Sequence, residues 1–236
     1  MSDESNNSKR LQAKIVLIGD AGVGKTSIIK RFTSNSFDDS CPPSISSEYS
    51  QKEFNIKDIN KTITFNIWDT AGQEVYRSLA QIFFKNAQII IFVYDITCSK
   101  SFESLKNYWY KEVISNISNN VVLGVAGNKD DLYNEIEVKE EDAIAWADEI
   151  GAIFSTTSAN SNSGIDFLFR MVGRKYLNPN FKYKSEEEEK KQKYKMKKAK
   201  EKEMKDNDEE EDNNNIPDNN NIKISEKSTK KQGKCC

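Results

Sequence analysis

The 236-residue chain contains no histidine, which excludes any catalysis that needs an imidazole. Cysteine is scarce: there are four, two of them the last residues, Cys235 and Cys236, which does not make a disulfide framework. No apolar run approaches the ~20 residues needed to span a bilayer. The opening MSDESNNSKR is polar throughout and lacks the apolar stretch of a secretory signal. Charge of one sign is missing as well, with 35 Lys+Arg against 37 Asp+Glu and a net charge of −2. A chain this balanced has no global basic field, which argues against nucleic acid as a partner. These absences place the expected protein on the cytosolic side of membranes.

Charge is present in quantity, but unevenly. From Ser185 to Lys234 there are 14 Lys and 14 Asp+Glu with few large apolar residues, so this stretch cannot bury a core. The expected organisation is a disordered lead-in over 1–9, one domain over 10–178 and a charged, disordered tail over 179–236. Within the tail, Lys190–Lys200 carries seven lysines with Tyr194 and Met196, and acidic Asp206–Asp212 follows. A solvated spacer is the expectation there, with a membrane-facing helix as the alternative.

Along the domain, Leu11–Ile18 is short, rich in branched apolar residues and followed by glycines, the pattern of a buried strand. Helical spacing runs from about Gly24 to Thr33. Tyr49–Ile56 and Thr62–Trp68 form an expected antiparallel hairpin through Lys57–Asn60. A helix near Tyr76–Lys85 precedes Gln88–Tyr94, which is apolar on both alternating faces, as a strand covered on two sides should be. Helix, strand (Val121–Ala126), helix, strand (Ala152–Ser155) and a last helix (Gly164–Tyr176) follow. The expected fold class is α/β: a six-stranded, mostly parallel, doubly wound sheet with one antiparallel hairpin strand. Ligands of such sheets bind at the carboxyl ends of the strands.

Gly19-Asp20-Ala21-Gly22-Val23-Gly24-Lys25-Thr26 matches G-x-x-x-x-G-K-[ST] between a strand and a helix. Glycines let successive N–H groups curl around an anion, and the helix adds its positive end. Lys25 supplies a point charge to the terminal phosphates, and the Thr26 hydroxyl is suited to Mg²⁺. Alone, this loop says only nucleoside triphosphate. Asn128-Lys129-Asp130-Asp131 follows a strand at the edge where a base would lie. The Asp131 carboxylate is an acceptor for guanine N1–H and the exocyclic amine, two donors that adenine does not offer in that arrangement. In Trp68-Asp69-Thr70-Ala71-Gly72-Gln73-Glu74, Asp69 ends a strand facing the phosphates, where it is suited to organising the Mg²⁺ shell. Gly72 offers an N–H to a γ-phosphate, and Gln73 an amide for orienting water.

These motifs in this order, with Thr157-Ser158-Ala159 late in the chain, resemble the Ras-like small GTPases over residues 10–178. Ile67-Trp68-Asp69, Tyr76-Arg77-Ser78-Leu79-Ala80, Phe83-Phe84-Lys85-Asn86-Ala87 and Val93-Tyr94-Asp95-Ile96-Thr97 look like Rab segments. The Ser-Leu-Ala and Gly127-Asn128-Lys129 variants are most similar to the early-endosomal Rab branch. The resemblance implies a GTP-hydrolysing switch whose nucleotide site comprises Gly19–Thr26, Ser27, Phe37, Ser44, Gly72, Asn128, Lys129, Asp131, Ser158, Ala159 and Asn160. It implies that Gln73 and Lys25 are catalytic and that Thr26, Ser44 and Asp69 hold Mg²⁺. Phe37 would stack beside guanine, and Ser44 stands for the switch threonine that ligates Mg²⁺ only with GTP bound. The backbone amides of Ser158 and Ala159 would meet the base, and Asn160 stands where the family commonly has Lys. Ile45-Ser46-Ser47-Glu48-Tyr49 departs from the usual Ile-Gly-x-Asp-Phe and leaves effector identity open. Ala21, nearest the attacking water, reads either as a brake on hydrolysis or as a tolerated small residue.

Cys235-Cys236 resembles the double-geranylgeranyl signal of Rab proteins, two lipids where one would bind only reversibly. The implied partners are an exchange factor, a GTPase-activating protein supplying an arginine, a GDP-dissociation inhibitor, effectors and, through prenyl groups, the cytosolic face of endosomal or other vesicle membranes. The implied protein is a monomer that cycles with the cytosol. Competing readings are a Ras- or Rho-type signalling GTPase, a non-hydrolysing membrane scaffold, and a P-loop kinase. A C-a-a-X end and, for Rho, an inserted helix are missing for the first, while intact Lys25, Asp69 and Gln73 oppose the second. The guanine motif opposes the third.

Overall fold

A computed structural model describes residues 11–38, 48–70, 83–117 and 120–182. Strand β1 (Leu11–Ile18) leads through the glycine-rich loop into helix α1 (Lys25–Ser34). β2 (Glu48–Ile56) and β3 (Lys61–Asp69) form the expected hairpin. One 3₁₀ turn, Lys57–Ile59, closes it, with Asn60 in the left-handed region where its short polar side chain is tolerated. β4 (Ile89–Asp95) is buried at every position, as its two-faced apolar pattern requires.

Helix α2 follows in three consecutive parts, Ser99–Ser104, a π-wound stretch Leu105–Trp109, and Tyr110–Asn116. β5 (Val122–Asn128) leads through a 3₁₀ segment, Asp130–Glu135, to α3 (Glu140–Glu149). β6 (Ile153–Thr157) and α4 (Ile165–Leu177) complete the set. The helix expected near Tyr76–Lys85 lies mostly outside the described residues; Phe83 and Phe84 are helical.

The strands lie in the order β2-β3-β1-β4-β5-β6, with β2 and β3 antiparallel and every other pair parallel. This is the α/β sheet expected from the sequence. Alternation along the strands sorts side chains onto two faces. Ile15, Leu17, Phe65, Ile91 and Val93 meet Phe32 of α1 and Leu168, Phe169 and Val172 of α4. The Phe32 and Phe169 rings stack at 3.7 Å with 6° between their planes. Val16, Ile18, Ile90, Phe92 and Tyr94 face the other way, onto Leu105, Trp109 and Val113 of α2 and Trp146 of α3. Helices thus cover both faces and leave the carboxyl edge open. Asp95, Asn128 and Thr157 stand in register across β4, β5 and β6 at that edge, and Asp69 ends β3 there.

Candidate nucleotide site

The phosphate loop leaves β1 at Gly19, whose backbone passes so close to β4 that an added Cβ would sit 2.1 Å from the Val93 carbonyl oxygen. Lys25, only 5% exposed, folds its Nζ back over the loop and donates to the carbonyls of Gly19 and Asp20, each at 2.8 Å. Burial pulls its pKa down from 10.5 to about 8, against the charges of Asp69 and Asp20, which push it up. An arriving phosphate would add negative charge and favour the protonated form.

Thr26 Oγ1 donates to Asp69 Oδ2 at 2.5 Å. The residue after Asp69 is fastened too, since Thr70 Oγ1 donates to the Leu17 carbonyl at 2.7 Å. β3 therefore delivers its carboxylate beside the first turn of α1. The hydroxyl and carboxylate are hard oxygen donors in contact, a set that fits Mg²⁺ taking its other ligands from phosphate and water.

Asn128 joins three elements. Its Nδ2 donates to the Val23 carbonyl at 2.8 Å, and its Oδ1 accepts from Thr157 Oγ1 at 3.2 Å. Lys129, with φ of 68°, turns the chain, and its Nζ lies 2.5 Å from Asp95 Oδ2. Asp131 accepts from Ser158 Oγ at 2.5 Å and from Asn160 Nδ2 at 3.0 Å. Burial opposes ionisation of Asp131. Those two bonds, its own backbone N–H and the Lys129 charge outweigh that effect and hold the carboxyl below its ordinary value.

A cavity of about 350 Å³ lies between these groups, lined among others by Gly24, Phe37, Asn128, Asp131, Leu132 and Ala159. Gly22, Ser27, Lys129 and Asn160 also border it. Phe37 is held by the Arg31 guanidinium, 5.7 Å from its ring centre. Arg31 also donates to the Ala159 carbonyl at 2.7 Å and the Asn160 carbonyl at 3.2 Å, so α1 grips the loop after β6.

The Ser158 N–H, expected to face the base, donates to the Ser163 carbonyl at 3.0 Å in an isolated antiparallel bridge. Ser158 works through its hydroxyl on Asp131. Ser44, Gly72, Gln73, Cys235 and Cys236 lie outside the described residues. Sequence reasoning missed Arg31, Leu132 and Asp95 as parts of the site. An Asp closing a wholly apolar strand was the available signal for Asp95.

A glycine-rich loop between the first strand and first helix, with a base-sized cavity across the same edge of a doubly wound sheet, defines a P-loop nucleotide-binding domain. The profile described as Ras family matches residues 14–178. Ras-related protein Rab-22A of Homo sapiens is 43% identical over 164 residues, covering 70% of this chain and 83% of that protein. Ras-related protein Rab-21 of Geodia cydonium is 38% identical over 184 residues, 76% of this chain and 79% of that protein. Ras-related protein Rab-31 of Mus musculus is 40% identical over 164 residues, 70% and 83% respectively. The chain belongs to the Ras family and, within it, to the Rab GTPases. It is a GTP-hydrolysing switch of membrane traffic.

Proposed function

We propose that GTP lies with its phosphates in the loop Gly19–Thr26 and its base in the cavity beside Phe37, Asn128 and Ala159, read by Asp131. The observation carrying this is the convergence of Lys25, the Thr26–Asp69 pair and Asp131 on one sheet edge. Lys25 Nζ, already pinned by two carbonyls, places its charge where the terminal phosphates arrive. Thr26 and Asp69 would hold Mg²⁺, with Ser44 joining when GTP is bound. The ion's chemistry is neutralisation of phosphate charge. Gln73 orients the attacking water, and Gly72 donates its N–H to the γ-phosphate. A GTPase-activating partner supplies an arginine, an exchange factor opens the site, and a GDP-dissociation inhibitor carries the lipidated GDP form through the cytosol.

Binding of the γ-phosphate draws the two switch segments together, and effectors read the ordered surface. Half-exposed Tyr49 lies 5.4 Å from the Trp68 ring, and Trp68 lies 6.4 Å from Phe83. This aromatic row of Tyr49, Trp68 and Phe83 offers effectors apolar area. Likeness to the early-endosomal branch supports endosomal or other vesicle membranes as the place of action.

The protein stays there through prenyl groups on Cys235 and Cys236. Among the described residues no helix is long and apolar enough to cross a membrane. Two lipids anchor where one binds only reversibly. The Cys235→Ser/Cys236→Ser variant is expected in the soluble fraction of disrupted cells, binding GTP as wild type does, with single variants intermediate. A double variant that still sediments with membranes would show that the tail's lysines or a protein partner hold it there.

A further inference from the structure

Asp20, the second residue of the phosphate loop, uses its two ends differently. Its backbone carbonyl accepts from Lys25 Nζ, while its side chain turns away toward α2. There Oδ1 accepts two bonds, from Ser104 Oγ at 2.8 Å and from Trp109 Nε1 at 2.8 Å. Trp109 is 3% exposed, so its indole N–H needs an acceptor within the protein, and a carboxylate is a strong one.

The two donors sit five residues apart. In an α-helix with 3.6 residues per turn, such positions point about 140° away from each other and do not meet at one oxygen. The stretch Leu105–Trp109 is π-wound. Its turn closes from i to i+5, which brings positions five apart onto one side of the helix. The rare winding is thus the local change that lets Ser104 and Trp109 reach the same carboxylate.

We propose that Trp109 and Ser104 are positioning residues for the phosphate loop: through Asp20 they hold the backbone on which Lys25 is anchored, so the dwell time of bound nucleoside diphosphate depends on the π turn of α2. This rests on the reading of Gly19–Thr26 as the phosphate site. The clamp touches neither phosphate nor base. It acts by fixing the loop before the nucleotide arrives, which lowers the ordering cost of binding.

The test is release of a fluorescent GDP analogue from the full chain in Mg²⁺ buffer, with a thermal melt of every variant. Trp109→Phe keeps a buried aromatic ring, though a smaller one, and removes the N–H. It is expected to speed release roughly tenfold, the scale on which losing a bond to a charged acceptor acts. Ser104→Ala should speed release severalfold. Asp20→Ala combined with Trp109→Phe should be no faster than the faster single variant, because both remove one linkage. Wild-type release from Trp109→Phe, or single effects that multiply in the double variant, overturns the clamp. A purely structural role would lower the melting temperature and leave the rate alone. Should Trp109→Phe unfold, Ser104→Ala decides, since alanine preserves a helix, and unchanged release from it overturns the proposal. Failure of wild type to retain GDP sinks the phosphate-site reading and the clamp together; retention with unmoved variants sinks the clamp alone.

Discussion

Replacing Asp131 with asparagine is expected to weaken GTP binding on the order of 10⁴-fold and to turn the preference toward xanthine nucleotides. An ionised carboxylate only accepts, and guanine presents two donors, N1–H and the exocyclic amine. Asparagine puts an NH₂ where one acceptor stood, which meets the guanine amine donor to donor. Xanthine carries an oxygen at that position and takes the new N–H. Ser158 and Asn160 each donate to one oxygen of the wild-type carboxylate, and an amide can accept from only one of them, so the variant also loses part of what orients this side chain. Those bonds also keep Asp131 ionised below its ordinary pKa of 3.8. A depressed pKa means the charge is lost only as pH falls below that value, so guanine selectivity should stay flat from about pH 5 to pH 8. Competition of GTP, XTP and ATP for the variant and wild type measures the effect. A variant that keeps its preference for GTP would remove Asp131 from base recognition.

Gly24→Ala should weaken GDP binding at least ~100-fold, through lost loop geometry rather than any lost contact with the ligand. Gly24 has φ of 95°, and an added Cβ would lie 2.2 Å from Asn128 Nδ2. A free side chain would yield, but this one is 2% exposed and bonded at both ends, to Val23 and Thr157. Either the loop backbone shifts or Asn128 gives up its bond, and the base cavity changes in both cases. Gly22→Ala is the control: its φ of 78° is also positive, but nothing lies within 4 Å of the added Cβ. It carries the backbone penalty without the collision and should cost much less. Equilibrium titration of the two variants separates them; equal, small losses would mean that the Asn128 contact does not shape the site.

The segments defined by residue type at fixed spacing were the legible ones. Gly19–Thr26 and Asn128–Asp131 must place particular residue types at particular steps, so they stand out in one dimension. β4 was legible because a strand covered on both faces cannot alternate. The π turn was not. Phe102, Leu105, Trp109 and Val113 are spaced three, four and four, which reads as an ordinary amphipathic helix, and all four are buried as such a stripe should be. The Asp20–Trp109 bond spans 89 residues and the Asn128–Val23 bond 105, so no local pattern reports them. The Asp130–Glu135 turn is short and polar, with no period to detect. The Ser158–Ser163 bridge is a single pairing and leaves no trace in residue type.

Single-turnover hydrolysis tests most directly whether the chain is a guanine-specific hydrolytic switch. Purified chain is loaded in Mg²⁺ with γ-labelled GTP or γ-labelled ATP, freed of unbound nucleotide, and followed for phosphate release. GTP should be retained and converted slowly to GDP, faster with an activating protein, while ATP should not be retained. Equal retention of the two nucleotides, or GTP held but never cleaved with or without an activating protein, would contradict it.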